Sequence, residues 1–210
     1  MTAYQKIPGP FLRDPITNKL TDQWSSPELE YLAGNEWVFT EKVDGTNIRV
    51  MWDGYRVTFG GRTDNAQLPV PLYEWLHAKF GGPEKEQLFE QKFGTSPAIL
   101  YGEGYGPKIQ GGGKYRSDIS VVFYDARVEK WWLERDALED VAAYFGLEIV
   151  PIVHRDSLVR TIVLVRDRRA IVAHSHWGDF APEGLVGTTR VGLLGRGGDR
   201  IIVKLKLLDL

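Results

Sequence analysis

Between Trp37 and Gly60 the sequence takes on a period of two around a single Asp-Gly pair, and nothing else in its 210 residues restricts the fold as tightly. Ile48, Val50 and Trp52 alternate with Asn47, Arg49 and Met51, Asp53-Gly54 suits a tight type I′ turn, and Tyr55, Val57 and Phe59 alternate on the way back. A β-hairpin uses this pattern, with Ile48, Val50 and Trp52 packed inward and Asn47 and Arg49 on the opposite face, where they can read a ligand. Just ahead of the hairpin stands Glu41-Lys42-Val43-Asp44-Gly45, a lysine between two carboxylates at the end of the apolar run Trp37-Val38-Phe39. At an ordinary pKa of about 10.4 a lysine is simply a cation. A K-x-D-G tetrad also arises by chance in about one chain in twenty of this length at average residue usage, so alone it identifies nothing.

The other elements follow from punctuation and periodicity. Pro8, Pro10, Pro15 and Pro27 break up residues 1–35, which predict a leader packed on the domain, with Ser26 and Pro27 opening a short helix as N-cap and first helical residue. Helices are predicted over Val70–Phe80, Pro83–Phe93 and Arg135–Phe145, each closed by the glycine that follows it, and over about 157–166. Strands are predicted at 98–103, 119–128, 184–189 and 201–207, with a glycine-rich loop at 104–113. Hairpin-like strands with helices inserted between them predict an α+β fold of mainly antiparallel sheets. No repeat or linker-like shift interrupts the chain, which predicts a single domain over residues 1–210.

Composition narrows the chemistry. With 43% hydrophobic and 26% charged residues the chain is long enough for a sizeable core, to which seven Trp, nine Tyr and nine Phe contribute. The same aromatics are natural platforms for a nucleobase. The lack of cysteine excludes disulfides, thiolate zinc sites and a cysteine nucleophile, and fits a reducing compartment. There is neither a signal-peptide core nor an uncharged apolar run of about 18 residues. A soluble, cytoplasmic protein without a membrane partner is therefore expected. At a net charge of −2, any contact with nucleic acid must come from a local patch.

Several motifs imitate a site. Gly111-Gly112-Gly113-Lys114 resembles a phosphate loop, but Tyr115 replaces the required Ser or Thr and Lys108 replaces the first glycine. Gly102-Glu103-Gly104-Tyr105-Gly106 lacks the spacing and the helix of a dinucleotide fingerprint. His174 and His176 lack an obvious third ligand for zinc. What remains is a series at strand ends: Lys42, Asp44 and Gly45; Gly61-Arg62-Thr63; Tyr101-Gly102-Glu103-Gly104; Phe123-Tyr124-Asp125; Pro182-Glu183-Gly184-Leu185-Val186; and Ile201 to Lys206, which includes Lys204. Singly these read as solvated charges and core aromatics. In this order they resemble the covalent nucleotidyltransferases, and within them the ATP-dependent RNA ligase branch that includes phage nick-sealing and RNA-editing ligases.

The resemblance runs from Trp37 to Lys206 and implies a nucleotidyltransferase (ATP-grasp-like) domain. Lys42 would attack the α-phosphorus of ATP and hold AMP as a phosphoramidate, which passes to a 5′-phosphate end before a 3′-OH completes the phosphodiester. Lys204, Lys206 and Arg62 would neutralise the phosphate, and Lys204 and Lys206, with a metal, would ease loss of the Lys42 proton. Glu103 and Glu183 would hold Mg²⁺ or Mn²⁺. Glu41 resembles the residue that meets the adenine amino group, Asn47 the ribose-binding asparagine, and Tyr124 the aromatic stacked on the purine, more often Phe in the family. The segment Gly104 to Gln110 also resembles the RNA-ligase loop in that place, which implies that Lys108, Lys114 and Arg116 would meet backbone phosphates. After the Lys-x-Lys strand only Leu207 to Leu210 follow, where family members commonly carry a further domain, so either a minimal ligase is expected or one whose strand binding is supplied by a partner chain. RNA is the expected substrate; a DNA-nick ligase, or an accessory module that takes up AMP without sealing, remain alternatives.

Overall fold

The structure, a computed structural model, describes residues 3–210. In chain order it contains β1 (Phe11–Arg13), β2 (Leu20–Trp24), α1 (Pro27–Leu32), β3 (Glu36–Lys42), β4 (Thr46–Trp52), β5 (Val57–Gly60), α2 (Val70–Phe80) and α3 (Pro83–Phe93). There follow β6 (Ala98–Tyr105), β7 (Ser120–Val128), β8 (Trp131–Trp132), α4 (Arg135–Phe145), β9 (Glu148–Ile149), β10 (Ile152–Ser157), α5 (Leu158–Arg166), β11 (Gly184–Thr189) and β12 (Ile202–Lys206). The fold is α+β, and every strand pair but one is antiparallel among the described residues. No helix among them is long and apolar enough to cross a membrane.

The chain forms two compact units. One comprises Asp44–Val150 with the N-terminal piece ending at Tyr4, and will be called the inserted unit; the other, the framing unit, comprises Gln5–Val43 and Pro151–Leu210. In the inserted unit the strands run β5-β4-β6-β7-β8, with β9 joining β7 in parallel. Ile48, Val50, Leu100 and Phe123 cover one sheet face and pack with Leu72, Leu76 and Phe80 of α2, Phe89 of α3 and Phe145 of α4. The predicted helix ends hold, with Gly146 taking the left-handed conformation that closes α4.

In the framing unit the order is β10-β3-β11-β12. Trp37, Phe39, Leu185, Val203 and Leu205 point to one face, where they meet Leu158, Ile162 and Val165 of α5 and Leu29 and Leu32 of α1. Period two therefore sends Thr40, Lys42, Lys204 and Lys206 to the other face. Ser26 caps α1 and Ser157 caps α5, each accepting from an amide three residues on at 3.3 Å.

Several sequence expectations are corrected. The hairpin turn is not type I′: of the pair only Gly54 has a positive φ, and the Asp53 carboxylate instead accepts from the amides of Tyr55 and Arg56 at 2.8 Å. Nor is the second face of β4 open to a ligand along its length, since Arg49 is 1% and Met51 8% exposed. The leader forms the β1–β2 hairpin around a turn capped by Asp14, and β9 and β10 stand where no strand was expected.

Candidate active site

In the framing unit, strand register decides which side chains meet. Gly184 of β11 pairs with Lys42 on one side and Lys206 on the other, so three neighbouring strands form one row, Lys42-Gly184-Lys206. Glu183, one residue before, reaches both lysines: Oε2 accepts from Lys42 Nζ at 2.5 Å and Oε1 is paired with Lys206 Nζ at 2.6 Å. A Cβ at residue 184 would run into the Leu205 carbonyl oxygen, so only glycine keeps the strands this close. Burial pushes the Glu183 carboxyl up, and the hydrogen bonds from Lys206 and Lys42 outweigh it, leaving it below the ordinary glutamate range. Lys204, opposite Val186, lies on the same face as Lys206. Burial, then the Lys206 and Lys42 cations, pull the Lys204 ammonium below the usual lysine range.

Glu41 behaves differently. It pairs with Leu185 across β3 and β11 and is 3% exposed, on the sheet face away from Lys42. Its carboxylate accepts from Ser175 Oγ at 2.5 Å and from the His176 amide at 2.7 Å, which fastens the segment after α5 to β3. Glu41, Val153, Ile171, His174, Pro182 and Leu185 are among the residues lining a cavity of about 270 Å³ there. His176 thus enters through its backbone, and His174 pairs with Asp179 at 2.6 Å. Among the described residues no three His, Cys, Asp or Glu side chains form a metal-binding group.

In the inserted unit the glycine-rich loop clasps Asp44-Gly45. A Cβ on Gly45 would overlap the Gly104 carbonyl oxygen, one on Gly111 would overlap Asp44 Oδ2, and the Asp44 amide donates to the Tyr115 hydroxyl at 3.3 Å. Of the glycines that imitate a phosphate loop, Gly111 therefore serves to bring backbone close to Asp44. Asn47 Nδ2 donates to Glu103 Oε2 at 2.6 Å across the β4–β6 pair, holding a carboxylate that is 8% exposed. Arg49, expected to read a ligand, is a brace: it donates to the Gly61 carbonyl at 2.7 Å and to Asp64 Oδ1 at 2.8 Å. Both anchors flank the exposed Arg62. Of the proposed phosphate contacts, Arg116 is committed to Asp118 and Glu148, and Lys114 lies over the Tyr115 ring.

Tyr124 sits in a β-bulge. Gly102 pairs with Phe123 and Tyr101 with Asp125, which leaves Tyr124 as the extra residue. Core positions on β7 accordingly change parity, from Val121 and Phe123 to Ala126, so that Tyr124 and Asp125 both leave the core face. Tyr124 keeps part of its surface exposed. Burial pushes its hydroxyl well above the ordinary tyrosine range, the Glu103, Asp125 and Tyr101 charges add to the effect, and Arg62 opposes it. Tyr4 carries no sequence signal for the site: its ring and that of Tyr124 meet in a T-shaped pair at 5.1 Å, and its hydroxyl donates to Asp125 Oδ2 at 2.6 Å. Contacts with residues far along the chain, Asp125 among them at a separation of 121, give Tyr4 a place in the site, and local pattern carries no trace of them.

Residues 35–206 match the RNA ligase protein family. Among solved structures, Naegleria gruberi RNA ligase with PPi aligns at a TM-score of 0.65 and 18% identity over 95% of this chain and 59% of that one. A lysine-to-alanine variant of the same enzyme with ATP and Mn aligns at 0.64 and 16%, over 100% of this chain and 63% of that one. An apo aspartate-to-alanine variant aligns at 0.63 and 17%, over 86% and 51%. The chain thus spans between half and two-thirds of the length of these relatives, and at such identities the likeness is one of fold. No sequence match is found among curated proteins.

Proposed function

The chain belongs to the RNA ligase family, and from that premise we propose that it is an ATP-dependent RNA ligase working through a covalent lysyl-AMP. The observation that carries the reading is the single carboxylate of Glu183 shared by Lys42 and Lys206 across the Gly184 row. A solvated surface lysine has no need of a glycine spacer, a second lysine in register and a half-buried carboxylate joining them.

The first step forms a bond between Lys42 Nζ and the α-phosphorus of ATP and breaks the bond from that phosphorus to the bridging oxygen, so pyrophosphate leaves with the electron pair. Before it attacks, Nζ must leave the Glu183 ion pair and give up a proton, since an ammonium has no lone pair. Lys204 and Lys206 neutralise charge on the phosphate as it becomes pentacoordinate, and Arg62 assists them. Tyr124 stacks on the purine, and Asn47 meets the ribose. Asp44 and Gly45 pack against the glycine-rich loop. Glu41 contributes through its main chain, because its carboxylate is engaged by Ser175 and His176. An oxygen of an RNA 5′-phosphate then takes the adenylate and breaks the P–N bond. A 3′-OH finally attacks that 5′-phosphate and AMP departs.

A divalent ion would come as a guest of the substrate. Glu103 and Glu183 each offer one hard oxygen donor group, and Mg²⁺ or Mn²⁺ is commonly held by one or two carboxylates together with water and phosphate oxygens. When bound, such an ion supplies positive charge to the phosphates.

Incubation with α-labelled ATP and a divalent cation is expected to place label on the chain, and Lys42→Ala to abolish it. Label surviving in that variant would sink the assignment. Nicked RNA, nicked DNA and single-stranded ends, compared side by side, then test the preference for RNA.

A further inference from the structure

We propose that Tyr4 is a positioning residue for nucleotide binding, which sets the orientation of Tyr124 from the opposite end of the sequence; the proposal rests on the reading of Tyr124 as the purine platform. A bulge frees a side chain from the strand's alternation, and it also removes the cross-strand neighbour that would fix that side chain. Tyr124 has no residue opposite it on β6. Tyr4 supplies a neighbour in its place. It is 7% exposed, with its ring at 5.1 Å and 73° to Tyr124, the edge-to-face arrangement favoured by aromatic quadrupoles.

The hydroxyl of Tyr4 is itself fixed, donating at 2.6 Å to Asp125, the second displaced residue of the bulge. Tyr101 and Trp132 close around the same ring at 5.0 and 5.8 Å. Tyr4 therefore touches both side chains that the bulge turns out of the core, one through its ring and one through its hydroxyl. A stacking platform is useful only if its plane is held before the base arrives, since ordering it on binding lowers affinity. Loss of Tyr4 should weaken the grip on ATP while sparing the rate once ATP is bound.

The test has two arms. With ring carbon-13-labelled tyrosine in the full chain, the Tyr124 signal, identified by its loss in Tyr124→Phe, is expected to shift and broaden in Tyr4→Ala. In the same variant the ATP concentration for half-maximal adenylylation should rise about tenfold, with the saturating rate within about twofold. Tyr4→Phe keeps the ring without the bond to Asp125 and should fall between. An unchanged Tyr124 signal, or an unchanged half-saturation in a protein whose wild type takes up label, overturns the proposal. A wild type that takes up no label instead overturns the reading of the site, and the proposal with it. Should Tyr4→Ala fail to fold, Tyr4→Phe and Asp125→Ala decide the matter: the first removes the donor and the second the acceptor of the same bond, so each should raise half-saturation and Tyr4→Phe should add nothing in the Asp125→Ala background, whereas additive effects or none refute the link.

Discussion

Glu183 holds two cations in place, and its removal should be felt in stability before chemistry is considered. Its carboxyl sits below the ordinary glutamate range because Lys206 and Lys42 donate to it. A depressed folded-state pKa means that the unfolded chain binds the proton more readily. The contribution is therefore fully present above the unfolded value near 4.5 and is lost as pH falls through the lower folded value. In Glu183→Gln we expect a loss of about 1–2 kcal/mol at neutral pH, the lower part of the range for hydrogen bonds to charged groups because the pair is partly solvent-screened. The difference from wild type should shrink on acidification below pH 4.5, as urea unfolding at pH 7 and in steps below 4.5 would read. A constant difference across that range would contradict the assigned ion pairs.

At the scale of elements, the row Lys42-Gly184-Lys206 depends on strand register, and register depends on the missing side chain at 184. Gly184→Ala drives a methyl into the Leu205 carbonyl, so the β11–β12 pair must open or shift. The cost should be about 1–3 kcal/mol, the usual range for overpacking. Adenylylation should fall further than this loss of stability explains, because Lys206 moves from its partner; urea midpoints and labelling compared on the same variant would show it. The sequence exposed these strands well, since Gly184 to Thr189 and the Lys204/Lys206 alternation carry local signals. The helices were equally legible, each having its cap or closing glycine at the end. What stayed hidden depends on distant partners. The segment that forms β10 has no clean alternation and becomes a strand by pairing with β3 more than a hundred residues away. Arg49 carries the alternation of a ligand-facing residue, and only the return of Gly61 and Asp64 shows that it braces a loop. The bulge at Tyr124 breaks the parity of β7, although the run Val121-Val122-Phe123-Tyr124-Asp125-Ala126 holds a trace of it in two polar-tipped residues side by side.

For the molecule as a whole, chain continuity divides the two units. The sheet of the inserted unit pairs β4, β5, β6 and β7 within one unbroken segment, Asp44–Val150. The framing unit must join β3 to β10 and β11 across that segment. Loop closure over so long a stretch delays such contacts. Pulse-labelled hydrogen exchange during refolding should protect β4, β6 and β7 before β3 and β11, and simultaneous protection would refute this order. The framing sheet has one more consequence, a modular one. β3 and β10 lie side by side, and the Glu41 amide donates to the Pro151 carbonyl at 3.2 Å. The chain departs after Val43 and returns at Pro151, two neighbouring points on one scaffold. This is the geometry in which insertions and circular permutations are accepted. The proposed nucleophile thus stands at a splice point, where a change in the length or content of the inserted segment leaves intact the hydrogen-bonded ladder that carries Lys42.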